Sequence, residues 1–253
     1  MPDPHDVSDV GAEPQGRAKR TRFVPAMLVL FVVIAVFAFL NSPFFRVRDV
    51  QVRGSEYLSA QEIRLIADVP PESNIFLVPT RAIERRLLAT PRISSARVAR
   101  VLPDSVVITV TEKKTVAYLP YAGFFIELDK SGCAIAVSEA VTDPDTPVIV
   151  GVVPAYVAVG EPVRPGELVQ IGAAVGAALM ERRIPNLSEV DVSRADDVVL
   201  RTADGIKVFL GRSDGIQARV RLLDSILASI REQGLSVNYI DLRVEAKPVI
   251  REK

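Results

Sequence analysis

Residues Phe23 to Leu40 read FVPAMLVLFVVIAVFAFL, roughly eighteen residues without a charge. A run of that length and apolarity sits near the lower limit for a helix that crosses a hydrocarbon core. At the usual rise per residue it would be about 27 Å long and would cross nearly upright. Working outward, Arg17, Lys19, Arg20 and Arg22 crowd its N-terminal side, while Arg46 and Arg48 are the nearest cations beyond it. The excess of cations predicts a cytoplasmic tail at 1–22, a transmembrane helix at 23–41 and the remainder outside. A cleaved signal peptide would have a shorter apolar core and a small-x-small site; Phe39-Leu40-Asn41-Ser42-Pro43 offers none.

The exported part is electrically balanced. The tail holds four basic and four acidic residues, so 27 of the chain's 31 of each sign lie beyond it. That balance carries no footprint for nucleic acid. The tail itself is too polar to fold alone. The single cysteine, Cys133, leaves the exported part without an internal disulfide, and its apolar neighbours predict a buried small hydrophobe. The one histidine, His5, lies in the tail, which removes His-based triads and His-ligated metals from the folded region. Neither G-x-G-x-x-G nor G-x-x-x-x-G-K-[ST] occurs. These features predict no enzyme, no cofactor and no small-molecule substrate.

Downstream of the run, partial alternation in FFRVRDVQVRG predicts a strand ended by Gly54. Ser59-Ala60-Gln61-Glu62 is a capping box for a short helix carrying Ile63, Ile66 and Ala67. A second helix, capped by Thr80, carries Ile83, Leu87 and Leu88. Strands follow at about Ile93–Leu102 and from Val106, where Val106, Ile108 and Val110 face one way. The order β-α-α-β-β fills one small α+β unit. From Val116 short strands alternate with turns. A helix is predicted around Glu167–Arg183, with Gly172 and Gly176 permitting close packing on a sheet. Asp204-Gly205 signals a two-residue hairpin turn, Ile216 to Ile230 follow a 3.6-residue period, and Val237–Ile250 reads as one extended stretch. The fold class is α+β: a mostly antiparallel sheet with helices on one side follows the smaller unit.

Several of these segments together resemble a known family. They are Pro43-Phe44-Phe45-Arg46-Val47 after a lone anchor, Val52-Arg53-Gly54, Glu62-Ile63, Ile93 through Val98, Arg100-Val101-Leu102-Pro103-Asp104 and Val110-Thr111-Glu112-Lys113. That set is similar to an FtsQ-type POTRA domain. Leu210-Gly211-Arg212 and Tyr239-Ile240-Asp241-Leu242-Arg243 resemble the domain that follows it in the FtsQ/DivIB family of bacterial cell-division proteins. The resemblance implies a POTRA domain at 44–113 and an FtsQ-type β domain at 114–253. It further implies a non-enzymatic scaffold of the inner membrane that works at the septum and links early and late division proteins. Its implied partners are FtsB-like and FtsL-like bitopic proteins, with other division proteins bound through the POTRA domain.

The resemblance places partner capture at the last strands, by strand addition. The surface would begin at Arg243 and run through Val244, Glu245 and Ala246 to Lys247 and Val249. Tyr239 and Asp241 belong to the motif as contacts or as structural residues. Pro248 lacks an N–H, so pairing should stop or skip there. Two other readings stand beside this one: an anchored cell-envelope hydrolase using paired carboxylates, and a POTRA-bearing transport or sensing component.

Overall fold

The computed structural model describes residues 23–244 and 247–252. The predicted tail at 1–22, and Glu245 and Ala246, lie outside the described residues. The chain divides into two compact units. One comprises the chain up to Asp49 with Pro70–Val78 and Arg100–Val106; the other holds Val50–Val69, Pro79–Ala99 and everything from Val107 onward.

In the first unit the apolar run forms helix α1 (Phe23–Leu40). With 18 residues it falls just short of the roughly 20 that a bilayer core asks of a helix. Among the described residues no helix is long and apolar enough to cross a membrane. Beyond α1 the chain turns through Pro43–Phe45 and runs beside Ser73, whose carbonyl accepts from the Val47 amide at 2.9 Å.

The second unit holds most of a three-stranded sheet, β1 (Asp49–Arg53), β2 (Ile93–Val101) and β3 (Ser105–Glu112), in the order β1-β3-β2. Helix α2 (Ala60–Ala67) begins with the predicted capping box: the Ser59 side chain accepts from the Glu62 amide, and the Glu62 carboxylate accepts from the Ser59 amide at 2.7 Å. Helix α3 (Thr80–Leu88) differs from expectation at its start, because Pro79 occupies the cap position and supplies no side-chain bond. Its inward face is Ile83 and Leu87, while Leu88 is exposed. Gly54 ends β1 with φ +80°; a Cβ there would collide with the Val110 carbonyl, so glycine is required on both grounds.

The larger sheet comprises β4 (Ala117–Tyr121), β5 (Phe124–Leu128), β6 (Ala134–Ser138), β7 (Val148–Val150), β8 (Leu187–Asp191), β9 (Val198–Thr202), β10 (Lys207–Gly211), β11 (Val237–Asp241) and β12 (Val249–Glu252). Its order is β12-β11-β10-β9-β8-β7-β4-β5-β6. Most neighbours are antiparallel, as expected; β4–β7, β7–β8 and β10–β11 are parallel. Parallel neighbours need a crossover long enough to return to the starting end. Helix α4 (Gly166–Arg182) supplies it between β7 and β8, and α5 (Ile216–Gln233) between β10 and β11.

These two helices cover one sheet face, and their apolar residues share one core with the inward residues of the strands. A Cβ on Gly172 would lie 2.6 Å from Ile149, and one on Gly176 would strike the Val116 carbonyl, so the small residues let α4 lie directly on the sheet. The β9–β10 connection is longer than predicted: Thr202 and Ile206 close it around Ala203-Asp204-Gly205, with Gly205 at φ +88°. Cys133 is half-buried, not buried as expected, with Ser131 Oγ 3.5 Å from its sulfur; it lies just before β6, in an isolated antiparallel bridge to Pro162.

Where β3 runs on toward β4, polar groups are tightly committed. Glu112 accepts from the amides of Glu56, Tyr57 and Leu58 at 2.9–3.2 Å, and Lys113 pairs with Asp129 at 3.2 Å. Buried Arg92 bonds the buried Glu127 carboxylate, which also accepts from Thr115 Oγ1 at 2.6 Å. Glu112 and Lys113 are thus held by partners within this unit.

Candidate functional site

The site was expected in the last strands, and the structure alters how those strands are used. The extended stretch Val237–Ile250 is not continuous. It breaks after Asp241, bends at Arg243 and Val244, and resumes at Val249, so that β12 folds back antiparallel on β11. Pro248 immediately precedes β12, where its missing N–H removes no ladder bond. Strand β11 lies between β10 and β12, so Tyr239 and Asp241 sit on an inner strand. Of the residues expected to form the open edge, Arg243, Val244 and Lys247 lie between β11 and β12 and Val249 opens the edge strand, while Glu245 and Ala246 lie outside the described residues.

Register explains what this edge offers. Ile149 pairs with Val190, Val190 with Leu200, Leu200 with Val208, Val208 with Ile240, and Ile240 with Ile250. Directly opposed residues point to the same face. The first five members are fully buried, at 0% exposure, whereas Ile250 is 43% exposed. One row of the core therefore runs out to the end of the sheet and stops uncovered. Val249 is 51% exposed, and all four residues of β12 are exposed. The outer backbone of β12 has no neighbouring strand among the described residues. Unpaired N–H and C=O groups beside an open apolar side chain form a template for an added strand. Ile250 and Arg251, which lie on β12, were not among the residues expected to meet a partner. Their signal was a four-residue alternation after a proline, too short to separate from the stretch before it.

The loop leading to β12 is organised by Asp241 and Arg243. The Arg243 guanidinium donates to Asp241 through Nη2 at 2.6 Å and Nε at 3.0 Å, and its backbone amide donates to Oδ1 at 3.0 Å. The hydrogen bond from the Arg243 side chain holds the Asp241 carboxyl below the usual aspartate range, against a smaller opposing effect of burial. Arg243 also lies 5.3 Å above the Phe209 ring, which meets Tyr239 edge-on at 5.9 Å. Behind them buried Arg219 donates to the carbonyls of Leu210 and Arg212, fixing the end of β10. This arrangement holds a backbone conformation; nothing in it positions a nucleophile.

A second concavity, of about 610 Å³, is lined by Lys113, Lys114, Asp129, Ala177, Met180 and Arg183, with Glu112 at its rim. Burial by itself would raise the Asp129 carboxyl, but hydrogen bonds from the Ser131 side chain and amide, the Cys133 amide and Lys113 outweigh it and leave it lowered. A hydrolase acid needs the reverse, a raised carboxyl. Among the described residues no group of three or more His, Cys, Asp or Glu side chains is placed to hold a metal ion.

Comparison with known proteins gives two family matches. A family described as "POTRA domain, FtsQ-type" matches residues 45–113, and one described as "Cell division protein FtsQ/DivIB, C-terminal" matches residues 117–243. The chain belongs to the FtsQ/DivIB family of cell-division proteins. Among its relatives, Cell division protein FtsQ of Syntrophotalea carbinolica is 28% identical over 89% of this chain and 82% of its own length. Cell division protein FtsQ of Streptomyces collinus is 28% identical over 93% and 91%, and Cell division protein DivIB of Clostridium tetani 22% over 88% and 85%. A solved structure, the major extracytoplasmic domain of the trans isomer of DivIB from Geobacillus stearothermophilus, covers 48% of this chain and 97% of its own. The sequence identity is 17% and the TM-score 0.34.

Proposed function

We propose that the chain is a non-enzymatic, single-pass scaffold of the bacterial division complex. In this reading residues 1–22 are cytoplasmic, 23–41 anchor the chain in the inner membrane, and domains at 44–113 and 114–253 lie outside, at the septum. The second domain captures FtsB-like and FtsL-like bitopic partners by adding their strand to β12, and the first receives other division proteins. This links early and late components.

The observation that carries the reading is the core row that ends uncovered at Ile250 on a strand with a free outer edge. An incoming strand would complete the backbone ladder and bury Ile250, gaining directional bonds and apolar contact together. The anchor is supported by the exposed apolar side chains of Val24–Leu40, and its orientation by the flanking cations. The test is a photo-cross-linking scan of residues 247–252 in dividing cells. Adducts with a small bitopic division protein are expected, and they should disappear on Ile250→Asp. Septal placement with no adduct at any of these positions would refute strand capture.

A further inference from the structure

The end of α1 is tied to the fold by side chains. The last carbonyls of a helix have no partner within it and are met by side chains, by amides of the following turn or by water. The backbone amides of Asn41 and Ser42 already reach the Phe37 and Phe39 carbonyls. Here the Asn41 side-chain amide donates to the Phe37 carbonyl at 2.8 Å, and the Asn74 side-chain amide donates to the Leu40 carbonyl at 2.6 Å. Asn74 arrives from a loop more than thirty residues away in sequence, and its Oδ1 meanwhile accepts from the Phe76 amide at 2.9 Å. Satisfying end carbonyls with protein donors is what a low-dielectric setting demands, because water is not available there.

The same loop carries apolar side chains outward. Ile75 and Val78 are buried, but between them Phe76 is 38% and Leu77 75% exposed. An unbroken chain of ring contacts joins this loop to the helix. Phe39 meets Phe45 at 5.2 Å, Phe45 meets Phe44 and Phe76 at 5.1 Å each, and Phe39 and Phe44 are themselves more than half exposed. A contiguous apolar surface of this kind marks a place where water is displaced. It continues the exposed apolar surface of α1 without a gap, and beside it stand Arg46 and Arg48.

We infer that Phe44, Phe76 and Leu77 form an apolar collar seated in the interfacial layer of the bilayer that holds α1. Arg46 and Arg48 stand at headgroup level. The inference rests on the anchor reading above and deepens it. An 18-residue helix is about 27 Å long against a hydrocarbon core of about 30 Å. Such a span ordinarily has to thin the bilayer or draw in its flanking residues. The collar supplies the missing apolar length from the fold itself. It also fixes the first unit against the membrane instead of leaving it on a free tether.

The chain contains no tryptophan, so a single introduced Trp reports alone. The full chain, carrying one substitution at a time, is reconstituted in phosphatidylcholine–phosphatidylglycerol vesicles, with and without lipids brominated along the acyl chain. Leu77→Trp and, as a second probe that keeps an aromatic, Phe76→Trp are compared with Val33→Trp in mid-helix and Val153→Trp on an exposed loop. The collar predicts emission shifted to shorter wavelength for both loop probes. They should be quenched by lipid brominated near the headgroup and protected from aqueous iodide. Val33→Trp should be quenched by deeply brominated lipid, and Val153→Trp by iodide alone. Loop probes that behave like Val153→Trp overturn the collar while leaving the anchor intact. A Val33→Trp that bromolipid does not quench overturns the anchor, and the collar with it.

Discussion

Arg92 and Glu127 are both buried, and their pairing with Thr115 is completed by hydrogen bonds. A buried ion pair adds little when measured against a well-packed apolar substitute, yet removing one partner strands the other charge in a poor solvent. Arg92→Met should therefore cost about 3–5 kcal/mol in urea unfolding of residues 44–253. Arg92→Met combined with Glu127→Leu should recover most of that loss. If the double variant is no better than the single, the cost lies in lost packing and not in an unpaired carboxylate. Asp241 makes a prediction about pH. Its carboxyl titrates below the ordinary aspartate value because Arg243 holds it ionised. The pair thus contributes stability that is fully present above the unfolded-state value and is lost as pH falls through the depressed folded-state value. Thermal unfolding of wild type and Asp241→Asn should differ at neutral pH and converge in acid; a gap that persists under strong acid would contradict the pairing.

How far the elements could be read depended on whether their cause was local. The capping box at Ser59 and Glu62, the alternation of Val106, Ile108 and Val110, and the 3.6-residue stripe of α5 are written in neighbouring residues, and each forms where expected. The same holds for Gly172 and Gly176, whose spacing only makes sense if something passes close to them. What escaped was set by distant pairing. The crossovers through α4 and α5 become visible only once β7 is beside β8 and β10 beside β11. β12 has four residues and takes its identity from β11. Of the candidate site, the motif around Tyr239 to Arg243 was legible and lies toward one end of the sheet, whereas the outermost strand there begins only at Val249. The seam under α4 is open to direct test. Gly176→Val would drive a side chain into the Val116 backbone and should destabilise by about 1–3 kcal/mol or more. Ala174→Val on the exposed side of the same helix should stay within about 0.5 kcal/mol. Equal effects would mean that helix propensity, and not contact with the sheet, limits α4.

Across the nine-stranded sheet, burial along a single row separates two uses of the same chemistry. Ile240 is enclosed by the strands on either side and by the helical layer, so its side chain contributes to folding. Ile250, one strand further out, is only partly covered, and most of what it can gain awaits another chain. Ile240→Ala should accordingly cost about 2–5 kcal/mol, whereas Ile250→Ala should lie close to the small effects typical of surface positions. The difference should reverse when binding is measured. A peptide that pairs with β12 stabilises only the folded chain, by an amount that grows with its concentration over its dissociation constant. Titrating such a peptide should raise the Tm of wild-type residues 44–253 and leave that of Ile250→Asp unchanged, with the two proteins melting together before peptide is added. If Ile250→Asp instead melts well below wild type without peptide, β12 is part of the folding core and the sheet has no vacant edge to offer.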